Sequence, residues 1–211
     1  MSLSAYQLIL FPQRDDVSEA QRTALLSHLL GCGFLGQAFE LDGREHFTTG
    51  ARFLDQLVFL GCSPHIETEP PADPEARDRA ARQGRFCHLH LTRLLPRARF
   101  RANPRARVRC PACRKSVAAT ELLTGSGTDR TCAHCGHEAA ITDWNWQGHA
   151  GYANLFLEVW GIHPGEAAPT EGFIQTIEKI TDSPWSSFYT QAGQQPADET
   201  GPVMWHNDRP N

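Results

Sequence analysis

The sequence lacks any apolar run near the roughly 18 residues that are needed to span a bilayer. It also lacks a positively charged start before its first apolar run, which stops at Pro12, so we expect neither a secretory signal nor a transit peptide. No P-loop, dinucleotide-binding glycine motif, nucleophile elbow or HExxH motif occurs, and there is no internal repeat. These absences remove the best-marked membrane and enzyme classes, and 40% hydrophobic residues predict an ordinary soluble, folded chain.

Acidic residues are missing from one long stretch. Between Arg79 and Thr120 there is no Asp or Glu, whereas eleven arginines and one lysine occur. Because the chain has 20 basic and 24 acidic residues in all, its remainder carries a net charge of −16. A block of one sign usually marks an interaction surface or a solvated tail.

The seven cysteines are an odd number, and four of them form two C-x-x-C pairs. An odd count without a signal peptide argues against a disulfide framework, and C-x-x-C pairs indicate a metal in a reducing compartment. We therefore expect a cytoplasmic protein with no membrane partner.

The two pairs are Cys110-x-x-Cys113 and Cys132-x-x-Cys135, separated by eighteen residues, a spacing typical of zinc sites. Two residues between cysteines let one tight turn direct both sulfurs at one ion, and two such turns complete a tetrahedron. Gly136 supplies the freedom that the second turn needs. We predict one structural Zn²⁺ bound by the four thiolates, with no position left for a catalytic water.

This pattern resembles the zinc ribbon, over about 35 residues. The resemblance implies a metal and a local fold, with strands at 114–123 and 137–142 and a loop between them, but no activity. Two alternatives stay open, namely a pair of redox C-x-x-C motifs without metal, and replacement of one cysteine ligand by His134 or His137. The overall pattern resembles that of a bacterial protein.

The first 72 residues alternate between strand-like and helix-like patterns. Ser18 and Gln21 form a capping-box pattern at the start of a helix, and Asp42-Gly43 is a strong hairpin signal. The predicted elements are strands at 5–11, 34–41, 44–49 and 65–69, and helices from Ser18 to Gly31 and from Thr49 to Gly61. This order resembles the ferredoxin-like βαββαβ arrangement, and the predicted fold class is α+β.

The rest of the chain divides by composition. The divisions are a polar and basic linker with one or two strands at 73–104, the zinc ribbon at 105–142, a Trp-rich β-α-β section at 143–190 and a flexible tail at 191–211. In the β-α-β section, we predict a helix that is capped by Thr170, with Phe173, Ile174, Ile177 and Ile180 on its buried side. The section either forms its own sheet or joins the first one.

Arginines alternate with other residues in two short runs on either side of Asn103-Pro104. In an extended chain, a period of two places each run on one face. The residues are Arg97, Arg99 and Arg101, followed by Arg105, Arg107 and Arg109. We keep three hypotheses: a face that binds nucleic-acid phosphates, a surface for an acidic partner protein, and internal compensation by the acidic remainder. Interleaved aromatic residues are scarce there, which weakens the case for single-stranded nucleic acid.

A second metal site is conceivable from two C-x-x-H pairs, Cys62 with His65 and Cys87 with His90. However, if RFCHLHL is a strand, Cys87 and His90 face opposite sides of it, which argues against a shared ion. Free cysteines are more often small buried hydrophobic residues.

The leading interpretation is a non-enzymatic binding or adaptor protein, in which a zinc ribbon presents the arginines to an anionic partner. The alternative is a nucleic-acid-binding protein that uses the same arginines directly. A third hypothesis is an enzyme with a pocket near the Trp-rich section, although packing in the core is the more usual role of such residues. The aromatic residues concerned are Trp144, Trp146, Tyr152, Phe156 and Trp160.

Overall fold

Six strands drawn from both ends of the chain form one antiparallel sheet in the computed structural model, which describes residues 6–60, 66–125 and 127–191. The strands within these ranges are β1 (Tyr6–Pro12), β2 (Leu35–Leu41), β3 (Arg44–Thr49), β4 (Leu57–Phe59), β5 (His88–Leu91), β6 (Arg99–Ala102), β7 (Arg107–Arg109), β8 (Ser116–Ala118), β9 (Asp129–Thr131), β10 (Glu138–Ala140), β11 (Ala150–Ala153), β12 (Leu157–Trp160), β13 (Ala167–Pro169) and β14 (Trp185–Gln191). The helices are α1 (Glu19–Gly31), α2 (Pro74–Arg82), α3 (Ala119–Leu123) and α4 (Glu171–Thr181), with short 3₁₀ turns at Leu54–Gln56 and Ile141–Asp143.

The main sheet has the strand order β14-β1-β12-β5-β3-β2, and neighbouring strands are antiparallel throughout. The C-terminal β-α-β section therefore joins the first sheet, which was one of the two arrangements left open. Between β5 and its neighbour β12, the chain leaves the sheet and builds a segment that contains the two C-x-x-C pairs. The coarse prediction of a mixed helix and strand protein is confirmed.

Helices α1 and α4 cover one face of the sheet, and the sequence predicts both of their starts. At α1, the Gln21 N–H donates to the Ser18 hydroxyl and the Ser18 N–H donates to the Gln21 side chain, which completes the capping box. At α4, the Thr170 hydroxyl accepts from the Phe173 N–H at 3.2 Å. The buried residues between these helices and the sheet include Leu8, Leu10, Leu25, Leu29, Leu89, Leu157, Phe173 and Ile177.

The helix predicted from Thr49 to Gly61 is wrong over its described part. Strand β3 continues to Thr49, a 3₁₀ turn follows, and β4 pairs with β13 instead of forming the end of a helix. Apolar residues at 53, 57 and 60 have helical spacing, but Val58 and Phe59 also suit a strand. The segment forms a strand because it pairs with β13.

The ferredoxin-like arrangement is not confirmed. Strand β1 lies between β12 and β14, rather than beside another strand of the first 72 residues. Residues 66–69 form no strand, and residue 65 lies outside the described residues. The flexible tail predicted at 191–211 is outside them as well, except for Gln191, which ends β14.

Helix α2 forms where the composition suggests a polar linker. The Asp73 carboxylate accepts from the Ala76 N–H at 2.7 Å, and Pro74 occupies the first helical position, where its missing N–H costs nothing. Ala80 and Ala81 pack against Phe39 and neighbouring residues on the second face of the sheet. Within the described ranges, no helix combines the length and the apolar character that a membrane span needs.

Candidate metal centre

Four sulfur atoms meet at the place that the two C-x-x-C pairs predict. The Sγ atoms of Cys110, Cys113, Cys132 and Cys135 all lie within 4.8 Å of one another. The Cys110–Cys135 and Cys113–Cys132 sulfurs are 3.8 Å apart, too far for a disulfide and suitable for four ligands around one ion. The six described cysteines are all free of disulfides. The cluster could therefore hold a metal ion.

Each C-x-x-C pair sits at the tip of a short hairpin. The first pair connects β7 to β8, and the second connects β9 to β10. In both turns, the first cysteine donates its N–H to the carbonyl five residues later and accepts from the N–H four residues later. The bonds are Cys110 to Lys115 and Arg114 to Cys110 in the first turn, and Cys132 to His137 and Gly136 to Cys132 in the second. Two turns of the same design thus face each other across the sulfurs.

The residue four places after the first cysteine has a left-handed backbone in both turns. Its φ is +59° at Arg114 and +71° at Gly136. Glycine adopts this conformation at little cost, whereas a side chain is strained by about 1–2 kcal/mol. The sequence indicated the turn at Gly136 but gave no sign that Arg114 occupies the matching position.

The remainder of the module departs from the predicted strands. The stretch 114–123 contains the short strand β8 and then helix α3, rather than one long strand. Arg130 is 6% exposed and donates to backbone carbonyls, including those of Gly125, Gly127 and Asp129, so it fixes the loop before the second turn. A small apolar core, with Val108, Val117, Leu122, Trp144 and Trp146 among its residues, holds the module together.

The pKa values of two of the four thiols are shifted in opposite directions. Burial raises the pKa of Cys110, but backbone N–H groups of Cys113 and Ala112 outweigh it and bring the pKa down to about 6. The N–H of His137 lowers the pKa of Cys135, yet burial and the neighbouring sulfurs raise it overall to about 11. Four thiolates around a divalent ion would carry a net charge of about −2, and nearby cations would offset it. Arg107, Arg109, Arg114 and Lys115 are exposed residues beside the two turns of the module.

The six arginines predicted to bind anions occupy different environments. Strand β6 pairs with β11 and β7 pairs with β8, so the two arginine runs do not face each other across a ladder. Arg97, Arg105, Arg107 and Arg109 are exposed, and Arg99 is half-buried. Arg101 points inward and donates to the Glu158 carboxylate of β12 at 2.6 Å. Neutralisation of the arginines by acidic residues of the same chain, one of the three hypotheses, is therefore found for Arg101.

Three histidines and Glu158 lie together on the sheet face opposite α1 and α4. His46 on β3, and His88 and His90 on β5, are at most 3% exposed, and so is Glu158 on β12. Burial lowers the pKa of His46 to about 3 and that of His88 to about 4, so both rings are neutral at pH 7. The spacing of His88 and His90 was visible in the sequence, but their partners come from distant strands, and sequence reasoning missed the group.

Of the second site considered from the sequence, the two described residues lie apart. Cys87 lies in the core under the helices, whereas His90 lies on the opposite face of β5. Cys62 and His65 lie outside the described residues.

The tryptophans serve different parts of the fold. Trp144 and Trp146 belong to the module core, Trp185 donates to Thr181 beneath α4, and Trp160 donates to Glu158 on the sheet. A groove of about 370 Å³ beside Trp144 and Trp146 is lined by aromatic and small residues, with no carboxylate or histidine among them. This groove therefore gives no specific support to the hypothesis of an enzyme.

No protein-family model matches the chain, and no curated protein or solved structure is significantly similar to it. The site is therefore interpreted from its own chemistry. The fold and the site define a mixed α/β protein with a mostly antiparallel sheet and a four-cysteine cluster that could bind a metal ion.

Proposed function

We propose that this protein is a non-enzymatic, cytoplasmic binding or adaptor protein whose four cysteines hold one structural Zn²⁺ in a zinc ribbon. The main support is that the four cysteine Sγ atoms lie within 4.8 Å of one another, on two hairpin turns with the same hydrogen-bond pattern. Four thiolates at tetrahedral spacing suit zinc and occupy every coordination position, so the ion has a structural role.

The ion organises a module that has little else to stabilise it. Strands β7, β8, β9 and β10 are three residues long, and the module has a small apolar core. Small domains of this kind usually need a metal or disulfides to fold. Zinc binding therefore supplies the folding free energy that makes the surface of the module available to a partner.

That surface presents an arginine strip, consisting of Arg105, Arg107 and Arg109. All three are exposed, and none forms an ion pair with another residue in the described part of the chain. On β7 the strip alternates with Val108, which is buried in the module core, so the guanidinium groups project from an ordered strand. Ordered, unpaired arginines suit an anionic partner such as an acidic protein segment.

Nucleic acid is the second candidate, favoured by the surroundings of the strip. Arg109 forms two backbone hydrogen bonds with Asn145, which lies between Trp144 and Trp146 at the aromatic groove. Tyr152 also lines this groove and is 41% exposed. A cationic strand near an exposed aromatic side chain, here that of Tyr152, suits a single strand of RNA or DNA.

Metal analysis tests the structural role of zinc. We expect Cys113→Ser and Cys135→Ser to lose the zinc of the cluster and the dispersed NMR signals of residues 105–142, while the matched control Cys32→Ser keeps both. Cys32 is half-buried and distant from the cluster in the fold, so it controls for loss of a thiol. A chain that keeps the same zinc content in both cluster variants would contradict the proposal.

Binding assays test the partner. We expect fluorescence anisotropy at low salt to detect binding of either a poly-glutamate peptide or mixed-sequence single-stranded RNA and DNA, and to lose it in the triple variant R105Q/R107Q/R109Q. The matched control R14Q/R52Q/R82Q removes the same charge from exposed arginines elsewhere. For a nucleic acid, the strip variant should reduce the slope of log affinity against log salt by about 2. Equal binding by both triple variants would exclude the strip as the binding surface.

A further inference from the structure

Strand β14 forms one outer edge of the main sheet, and it lacks the features that normally protect such an edge. Its sequence, WSSFYTQ, contains no charged residue, no proline and no glycine. Its tryptophan, phenylalanine, tyrosine and threonine favour the strand conformation. Because an open edge can pair with another strand, proteins usually block it with charges, proline or a bulge. The sequence of β14 therefore does not oppose the addition of a further strand.

The opposite edge of the same sheet, strand β2, has these protective features. Its pairing with β3 is interrupted by a register shift between Leu35 and Ala38, where Gly36 lies. Its exposed side chains include the charged Glu40. Bulges and charges of this kind make the addition of another strand unfavourable. The two edges of the sheet therefore differ, and β14 is the edge that suits a further strand.

The backbone of β14 presents hydrogen-bonding groups on the side away from β1. At the start of the ladder between these strands, the Gln13 N–H donates to the Pro184 carbonyl at 2.8 Å. Because bonded and non-bonded pairs alternate along an antiparallel ladder, even-numbered residues of β14 bond to β1, and odd-numbered residues point their backbone groups outward. The outward N–H and C=O groups of Ser187 and Tyr189 have no hydrogen-bond partner in the described part of the chain.

The two ends of β14 limit which residues can pair with a further strand. The outward N–H of Trp185 donates to the Glu178 carboxylate at 2.9 Å, so this group is already satisfied. At the other end, Gln191 is buried, with 7% of its surface exposed. Between them, Ser187 is exposed and Tyr189 is half-buried. The accessible hydrogen-bonding groups of the edge are therefore those of Ser187 and Tyr189.

We propose that two copies of this chain associate through β14, with the two strands antiparallel and related by a two-fold axis beside Phe188. In this arrangement, Ser187 of each copy lies opposite Tyr189 of the other, and each such pair forms two N–H···O=C bonds. These bonds join two six-stranded sheets into one continuous sheet. The interface uses none of the four cysteines or the strip arginines, and it is independent of the binding function proposed above.

A second copy suits this edge better than an unstructured peptide does, for two reasons. Because β14 has no charged residue, self-pairing places no like charges opposite each other. Each copy also brings a strand that its own sheet already holds in place, whereas a disordered peptide would lose conformational entropy on binding. A contact made by a single strand is small, so we expect a weak, concentration-dependent dimer.

Sedimentation equilibrium of the zinc-loaded full chain tests the dimer. We expect the mean molar mass to rise from that of one chain towards that of two between about 10 µM and about 1 mM. Ser187→Pro should raise the dissociation constant at least about tenfold, since it removes the two intermolecular bonds that Ser187 donates. Proline is tolerated where an edge-strand N–H points to solvent, so the fold should persist. A chain that stays monomeric at every concentration would overturn the proposal.

Charged side chains at position 187 separate a lost contact from a damaged fold. Ser187→Lys and Ser187→Glu should each weaken the dimer, whereas an equimolar mixture of the two should restore it. The reason is that the two side chains at 187 are diagonal neighbours in the proposed register. Gln37→Lys, at an exposed position on the β2 edge, is the matched control and should leave the dimer unchanged. If Gln37→Lys weakens the dimer as much as Ser187→Lys does, or if the mixture stays monomeric, β14 is not the interface.

Discussion

The Arg101 guanidinium on β6 and the Glu158 carboxylate on β12 of the main sheet form a buried ion pair with an N–O distance of 2.6 Å. The Arg101 side chain is 19% exposed and that of Glu158 is 2% exposed. The same guanidinium lies over the Phe156 ring, 4.8 Å from its centroid. A single arginine on β6 therefore ties the inserted segment to β12.

Breaking this pair from either side should be strongly destabilising. Because a removed partner leaves an uncompensated buried charge, Arg101→Met and Glu158→Gln should each lower the free energy of unfolding by about 3–5 kcal/mol. The double variant should cost less than the sum of the two single variants, since no lone charge is left. Urea denaturation at pH 7 measures all three.

The exposed pair Arg82–Asp42 is the matched control for this prediction. Its N–O distance is 2.8 Å, but its side chains are 52% and 61% exposed. Because water screens it, Arg82→Gln should cost less than about 1 kcal/mol. Similar losses from Arg82→Gln and Arg101→Met would show that burial does not strengthen the inner pair.

The buried groups should also make the protein sensitive to acid. Burial raises the pKa of Glu158, but attraction to Arg101 outweighs it and lowers the pKa to about 2, below its ordinary 4.5. As the pH falls, Glu158 is therefore protonated in the unfolded chain before it is protonated in the folded protein. The stability that ionised Glu158 contributes is complete above pH 4.5 and is lost as the pH falls towards 2. Burial also lowers the pKa values of His46 and His88, so both rings are protonated in the unfolded chain first. They therefore add a loss of stability that begins as the pH falls below about 6.5.

Denaturation midpoints between pH 7 and pH 3 test the contribution of Glu158. We expect the stability difference between the unaltered chain and Glu158→Gln to be constant above pH 4.5 and to shrink below it. A difference that stays constant down to pH 3 would mean that the folded-state pKa of Glu158 is not lowered.

The second cysteine turn should depend on glycine at position 136. Its φ of +71° is unfavourable for a side chain, and an added Cβ meets no atom within 4 Å, so only backbone strain is at issue. Gly136→Ala should destabilise the metal-bound module by about 1 kcal/mol. Thermal unfolding of the metal-bound protein measures the change.

Gly172 in helix α4 provides the opposite control. An added Cβ there also meets no atom within 4 Å, but the backbone is helical. Gly172→Ala should stabilise the protein by up to about 1 kcal/mol, because alanine has the higher helix propensity. The turn geometry is wrong if both substitutions shift the stability in the same direction.

Cys87 should resist thiol reagents in the folded protein. Burial raises its pKa to about 12, with a further rise from the Glu166 and Glu67 carboxylates, and the residue is 0% exposed. After treatment with iodoacetamide at pH 8, mass spectrometry of the peptides should find Cys87 unmodified and the half-buried Cys32 modified. In urea both should react, and equal rates in the folded state would contradict the buried placement of Cys87.

The sequence predicts those features that depend on residues close together in the chain. The capping residues Ser18 and Thr170 mark the starts of α1 and α4, because a cap needs only the next three residues. The C-x-x-C spacing likewise predicts each cysteine turn, and the meeting of the two turns follows from the geometry that one ion requires.

The structure differs from the predictions at places where a contact with a distant segment outweighs the local sequence pattern. Leu57–Phe59 pairs with Ala167–Pro169 rather than extending a helix, and a polar stretch becomes α2 because its alanines cover Phe39 and neighbouring residues. Asp73 and Pro74 were the available helix-start signals, but the low apolar content concealed the helix.

By itself, the sequence determined the alternation of residues along strands, the starts of α1 and α4, and the four-cysteine cluster. The first two depend on a few neighbouring residues, and the cluster follows from the four ligands that one metal ion needs. Only the tertiary structure decided that Arg101 meets Glu158, that both ends of the chain share one sheet, and that three histidines from β3 and β5 are buried together. Strand order and register bring these groups into contact, and they depend on the packing of the whole chain rather than on any local pattern.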